Sequence, residues 1–285
     1  MPIERALSTH VFINQRLTVS LLERIEKAGI GLLEIFCARQ HLDYHDHNQV
    51  VELAAWFREN KLQLHSLHTP LYRDLVWGRS GPQARVSIAE MEKVRRIEAV
   101  DEIKRALEVA EHIPFRYAIV HVGLSDEEYD ERKMDAALWS VEHLRLFGRQ
   151  RGVSLVLENT PNELSTPERL LGLIHTLRFP DLGVCFDSGH AHMTAGGAGG
   201  KGARGVFEKL KALVCTTHLH DNMGDKDDHL FPFDGQIDWS DLAQAFRAAP
   251  HSFPWLLEIR EFPELKDPLG KALEVFQRLE ELGNA

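Results

Sequence analysis

Leu182-Gly-Val-Cys-Phe-Asp187-Ser-Gly-His190-Ala-His192 reads as an apolar strand that stops abruptly in an acid, small residues and imidazoles. Residues 183–186 are apolar throughout, as expected of a strand covered on both faces. Asp187 falls where the strand should end, and Ser188-Gly189 is expected to turn the chain so that His190 returns beside it. A carboxylate and an imidazole three residues apart at a strand end form a usable pair of metal ligands. In isolation, a capping aspartate with surface histidines explains the same string, so the rest of the chain has to decide.

Outward from this stretch, a short apolar segment followed by helix-spaced residues recurs along the chain. Strands are expected at residues 6–12, 31–36, 62–68, 117–121, 153–158, 182–187, 213–220 and 255–259. Helices are expected at residues 17–28, 48–60, 90–112, 130–151, 166–177, 203–211, 239–248 and 268–282. Thr18 and Gly29 supply start and stop signals for the first helix, and Thr166-Pro167-Glu168 opens another with a cap, a proline and an acid. Alternation of this kind points to a parallel α/β architecture. Eight units point to a single (β/α)8 TIM barrel over residues 1–285, with a doubly wound open sheet as the alternative.

The 285 residues are 44% hydrophobic and 27% charged, ample for one large core. Thirty-three basic against 43 acidic residues give a net charge of -10, which argues against general nucleic-acid or membrane-surface binding. No apolar run approaches the roughly 18 residues of a membrane span. Met-Pro-Ile-Glu-Arg lacks the layout of a signal peptide, so a cytoplasmic protein is expected. Cys37, Cys185 and Cys215, odd in number and set in apolar runs, suit reduced buried thiols. Homo-oligomerisation is left open.

In barrels of this type the chemistry sits at the C-terminal ends of the strands. Here successive strands end at or near His68, His121, Glu158, Asp187, His218 with His220, and Glu258. Six consecutive strands carrying a metal-ligand type is difficult to ascribe to chance. His218 and His220 share a strand face by alternation, so either can ligate. Asp227 and His229 add a D-x-H pair in the following loop, although that loop also reads as a solvated acidic segment with Asp221, Asp225 and Asp228.

Together LHTP (67–70), VHVG (120–123), LENT (157–160), FDSGHAH (186–192), HLHDN (218–222), DDH (227–229) and LLE (256–258) resemble the xylose-isomerase-like barrels. That superfamily includes sugar isomerases and epimerases and the endonuclease-IV-type apurinic-site nucleases. The resemblance implies that Glu158, Asp187, His218 and Glu258 hold one divalent ion, with His190 contacting substrate. In the nuclease branch it implies two further zinc positions. His68 and His121, bridged by Glu158, form one; His190, Asp227 and His229 form the other. One to three ions are therefore expected, manganese, zinc, magnesium or cobalt. Two features depart from the nuclease pattern. The turn after LENT is Pro161-Asn-Glu-Leu-Ser-Thr-Pro rather than glycine-rich, and the first glycine of a glycine–acid–glycine motif is replaced in Phe233-Asp234-Gly235.

A divalent ion can hold two adjacent oxygens of a hydroxy-ketone and stabilise the enediolate formed when the neighbouring carbon loses a proton. The resemblance makes Glu158 and Glu258 the acid/base pair, with His190 steadying an oxygen. Glu34, His220 and Arg260 are the candidate substrate contacts, with a salt bridge on the barrel rim an equal reading for Glu34 and Arg260, and Trp77 and Tyr72 either cover an apolar sugar face or merely pack. A sugar or sugar-phosphate isomerase or epimerase is the expectation, and a zinc-dependent apurinic-site endonuclease the alternative. The G-x-G-x-x-G at residues 197–202 does not lie at a first strand–helix turn. It is expected instead to be a loop over the active-site face, with Lys201 and Arg204 available to an anion.

Overall fold

The computed structural model describes residues 3–125, 127–179, 181–194 and 202–282. Lys201 and the glycine run before it lie outside the described residues. Eight strands alternate with helices: β1 (Arg5–Ser8), α1 (Val19–Lys27), β2 (Leu32–Phe36), α2 (His47–Glu59), β3 (Gln63–His68), α3 (Lys93–Leu107), β4 (Tyr117–His121), α4 (Glu131–Arg149). They continue as β5 (Ser154–Glu158), α5 (Pro167–Leu177), β6 (Gly183–Asp187), α6 (Ser188–Thr194), α7 (Gly202–Leu210), β7 (Val214–His218), α8 (Trp239–Arg247), β8 (Trp255–Leu257) and α9 (Pro268–Glu281).

Each strand pairs in parallel with its sequence neighbour from β1 to β7, and β8 pairs with β1. The ring closes just beyond the β7 ladder. There Leu219 N donates to Leu256 O at 2.7 Å and Glu258 N to Leu219 O at 3.2 Å. The molecule is thus a (β/α)8 barrel, with β7 and β8 joined by one short bridge.

Local chemistry explains the helix boundaries. Thr18 Oγ1 accepts from Leu21 N and Thr166 Oγ1 from Arg169 N, each satisfying an otherwise orphaned first-turn donor. On α1 the buried side chains are Leu21, Leu22 and Ile25, one apolar stripe turned to the strands. Burying each such side chain contributes about 1.5–3 kcal/mol. No helix among the described residues is long and apolar enough to cross a membrane.

Several boundaries differ from those expected. The first strand stops at Ser8, because Ser8 Oγ accepts from His10 N and winds Thr9–Phe12 into a 3-10 turn. The long third helix begins only after Glu92, which caps it by accepting from Val94 N and Arg95 N, and tightens to 3-10 geometry after Leu107. Ser188-Gly189 does not form a turn but opens α6, which carries His190 and His192.

Strand alternation places the site. Inside the barrel, Tyr117 and Ile119 of β4, Val156 of β5 and Cys185 of β6 form a small apolar cluster. Two residues further along each strand, the same inward face presents His121, Glu158 and Asp187. The floor is apolar and the next layer up is ligand.

Candidate metal centre

The centre is built around His218. Its Nδ1 lies 3.2 Å from Glu158 Oε2, 3.4 Å from Glu258 Oε2 and 3.9 Å from Asp187 Oδ2. All four residues are buried, and one donor atom from each lies within 4.8 Å of the others. Glu158 Oε1, His218 Nδ1 and Glu258 Oε1 are nevertheless without a directed hydrogen-bond partner. Buried polar atoms are almost always paired, so several orphans facing one another suit a cation between them.

Glu34 was expected at the end of strand two, but β2 runs on to Phe36. It sits mid-strand in β2, fully buried, 3.1 Å from His218 Nε2, and accepts from Ser66 Oγ at 2.8 Å. A carboxylate on the second ring nitrogen holds the imidazole in place and makes the first nitrogen a better ligand.

Two further groups adjoin this one. His121 Nε2 lies 3.1 Å from Glu158 Oε2 and 3.2 Å from His68 Nε2. His68 Nδ1 donates to Thr69 O at 2.9 Å, which leaves its Nε2 as an acceptor facing the group. On the other side, His190 Nε2 and His229 Nε2 lie 3.3 and 3.2 Å from Asp227 Oδ2. His229 Nδ1 donates to Glu258 O at 3.0 Å, and His190 Nδ1 is 3.1 Å from Glu158 Oε1. Glu158 therefore touches all three groups.

The two β7-side histidines separate. His218 faces the central carboxylates, whereas His220 bonds Asp187 Oδ2 at 3.0 Å and stacks on His229 with ring centroids 3.9 Å apart. His220 is fully buried in this packing. Arg260 is exposed on the rim and donates to Asp227 O at 2.9 Å. Arg204 lies in α7 and is paired with Asp241 rather than open to an anion.

Sequence reasoning missed His10. It lies in the 3-10 turn after β1, buried, stacked on Phe36 and edge-on to His229 at 5.0 Å, with Nδ1 unpartnered. Residue 10 was expected mid-strand, and only its proximity in sequence to a strand end could have signalled it. Trp77 packs edge-on against His10 and Phe36, at the rim of the same cluster. Tyr72 meets Trp77 edge-on rather than reaching the centre.

The charge balance favours added positive charge. Burial works against charging His190, but Asp187 and Asp227 hold its pKa well above the ordinary histidine value. Burial opposes charge on His229 as well, and Asp227, with Glu258 and Asp187, lifts it to about 9. Burial raises Glu258 to about 8 against the pull of His218 and His229, with Glu158 and Glu34 pushing the same way as burial. Burial and His121 push His68 down to about 3, neutral at any working pH. Protons thus collect where ligand atoms converge, and an ion would displace them.

The sign of the pH dependence follows. Stability contributed by the proton on Glu258 is fully present below the ordinary value of 4.5 and is lost as pH rises through about 8. That from His229 is fully present below 6.5 and lost through about 9. The metal-free protein is expected to lose stability between pH 7 and 9 while metal uptake strengthens and releases protons. Thermal melts with and without zinc, and zinc titrations in buffers of different ionisation heat, check this. Uptake independent of pH across that range would contradict it.

His68→Ala is expected to weaken only the position shared by His68, His121 and Glu158, leaving ions held elsewhere. Zinc per chain after gel filtration measures it; unchanged content would mean that His68 holds no ion.

The family model described as "Xylose isomerase-like TIM barrel" matches residues 22–279. The chain belongs to this family. Among individual proteins, it is 27% identical over 213 residues to the uncharacterized protein y4fM of Sinorhizobium fredii, covering 69% of this chain and 66% of that protein. That is slightly under two thirds of the relative's length. A D-tagatose 3-epimerase-like protein superposes with a TM-score of 0.79 at 21% identity, covering 99% of this chain and 98% of that one. The IolI protein, solved with a binding zinc atom, gives 0.73 at 17% identity and coverages of 97% and 96%. A family 2 AP endonuclease from Brucella melitensis gives 0.71 at 14% identity and coverages of 98% and 99%. At these identities the structural likenesses establish the fold alone.

Proposed function

We propose that the protein is a metal-dependent isomerase or epimerase acting on a sugar or sugar phosphate. One observation carries the proposal. Glu158 and Glu258, from the ends of β5 and β8, reach His218 Nδ1 at 3.2 and 3.4 Å from different sides of the barrel mouth. Epimerisation beside a carbonyl requires a base on one face and an acid on the other, and isomerisation one group that shuttles the proton. Two buried carboxylates converging from separate strands provide that arrangement.

Glu158, Asp187, His218 and Glu258 would hold a divalent ion, which supplies Lewis acidity to the oxygens of a bound hydroxy-ketone. Glu158 takes the proton from the reacting carbon, and Glu258 returns one on the opposite side. His190, next to both Glu158 and Asp227, donates to a substrate oxygen. Glu34 keeps the His218 ring from rotating. The buried surroundings exclude bulk water while substrate is bound, and between turnovers the two carboxylates regain their starting protonation from solvent, so the proton that Glu258 returns is a solvent proton. Structural similarity to a D-tagatose 3-epimerase-like protein supports a carbohydrate substrate.

The alternative, hydrolysis of a phosphodiester at an apurinic site, has one observation in its favour. All nine donors anticipated for a multinuclear site fall into three adjoining groups that meet at Glu158. Against it stands the segment after Glu158. There Asn162 Oδ1 accepts from Leu164 N and Ser165 N, and Ser165 Oγ donates to Val122 O, so side chains rather than open glycine backbone line the turn.

The test is a screen of ketoses, inososes and their phosphates in deuterated water, followed by proton NMR. Exchange of one carbon-bound proton by the zinc- or manganese-loaded protein, absent in Glu258→Ala, is expected. No exchange with any compound, together with nicking of a duplex bearing one abasic site, would replace this function with the nuclease.

A further inference from the structure

We infer that Asp221 sets how many ions the site holds, by clamping the loop that carries Asp227 and His229. The inference rests on the metal-dependent reading above and adds a residue that takes no part in holding an ion itself.

Asp221 was grouped by sequence with the solvated acids of its loop, yet it is fully buried. Its carboxylate accepts four N–H groups. Oδ1 takes Asn222 N at 2.9 Å and Ile237 N at 3.1 Å; Oδ2 takes Phe233 N at 3.1 Å and Trp239 Nε1 at 2.7 Å. Its backbone makes a second set of ties. Asp221 N donates to Leu230 O at 2.8 Å, and Leu230 N to Asp221 O at 2.9 Å. One residue thus holds both the start and the return of the segment 222–238. Asn222 extends the clamp to α6, its Nδ2 donating to Gly189 O at 2.9 Å.

The segment is held in a conformation it would not choose. His229 has φ +49° and Phe233 φ +77°, two of the three non-glycine residues with positive φ among those described. Such backbone persists only where its surroundings over-determine it. Both lie within three residues of Leu230, and Phe233 N is itself bonded to Asp221. Gly235 shows how tightly the loop is drawn in, since a Cβ there would lie 2.3 Å from Asp221 Oδ1.

The consequence is selective. Glu158, Asp187, His218 and Glu258 sit on or directly after strands, and His220 N is anchored separately by Ser188 Oγ at 3.0 Å. Asp227 and His229 come only from the clamped loop. Releasing Asp221 should loosen those two donors, leaving them held only by the bonds from His229 to Glu258 O and from Arg260 to Asp227 O and His229 O, while the strand-borne group stays intact, converting a multinuclear site to one with fewer ions. The isomerase reading uses one ion and the nuclease alternative a multinuclear site, so the clamp bears on the difference between them.

The experiment loads wild type, Asp221→Asn and Trp239→Phe with zinc, removes weakly bound metal by gel filtration and counts zinc per chain by mass spectrometry. Trypsin cleavage after Lys226 reports loop release, and far-UV circular dichroism reports the fold. Asp221→Asn is expected to lose at least one zinc but not all, with weaker-site affinity lowered about tenfold or more. Cleavage at Lys226 should accelerate while the dichroism stays unchanged. Trp239→Phe, which deletes one of the four donors, should weaken the same ion by a smaller factor and decides the matter if Asp221→Asn does not fold. Equal zinc content and equal cleavage in the variants would overturn the inference. A wild type holding a single zinc would also overturn it, yet leave the isomerase reading standing; a wild type holding none would remove both.

Discussion

Glu158→Ala is expected to abolish tight metal binding and to lower turnover by about 10⁴-fold or more, since acid–base catalysis alone is worth about 10²–10⁴. Among the described residues it is the carboxylate at which the three groups meet. Its oxygens lie 3.1 Å from His121 Nε2, 3.1 Å from His190 Nδ1 and 3.2 Å from His218 Nδ1. Alanine removes the one anion that these three imidazoles have in common. Burial pushes the Glu158 pKa up, but His121 and His218 hold it well below the ordinary carboxylate value, so it is the ionised member of the pair. Metal titration by calorimetry and deuterium exchange into the substrate found by screening measure the two effects separately. A variant that kept both properties would overturn the assignment of the site.

Gly189→Ala is expected to destabilise the protein by about 3 kcal/mol or more, the upper end for forcing a methyl into a packed interior. Its Cβ would lie 2.0 Å from His220 Cε1 and 2.3 Å from His220 Nδ1. Yielding is difficult for that ring. It is stacked on His229, bonded to Asp187, and its backbone N–H is held by Ser188 Oγ. Glycine is required here by space rather than by backbone angle. A fall in Tm of roughly 5–10 °C, measured by calorimetry on the metal-free protein, is the corresponding observable. An unchanged Tm would show that His220 is free to move, and with it the stacked pair His220–His229.

Much of the architecture was legible from local pattern. Residues 153–158 and 182–187 are apolar runs ending in acid, and their helices carry recognisable caps such as Thr166-Pro167. Boundaries failed where a side chain competed with the ladder. Ser8 captures His10 N and ends β1 early, and Glu92 postpones α3 by capping it. The placement of Glu34 failed for a different reason. Its strand was anticipated, but which residues lie opposite depends on Glu34 pairing with Ser66 across β2 and β3 and on His218 arriving from the far side of the barrel.

What this sequence determined by itself was the eight-fold alternation and the chemical types at the strand ends. Both follow from rules that act within a few residues: period-two strand alternation, helix periodicity and capping. Only the tertiary structure decided that Glu158 is common to three groups, that His218 and His220 serve different ones, that His10 joins them, and that Asp221 is a buried clamp rather than a solvated acid. Those outcomes depend on distances between residues from separate strands, which barrel closure and strand register set and which no local spacing records.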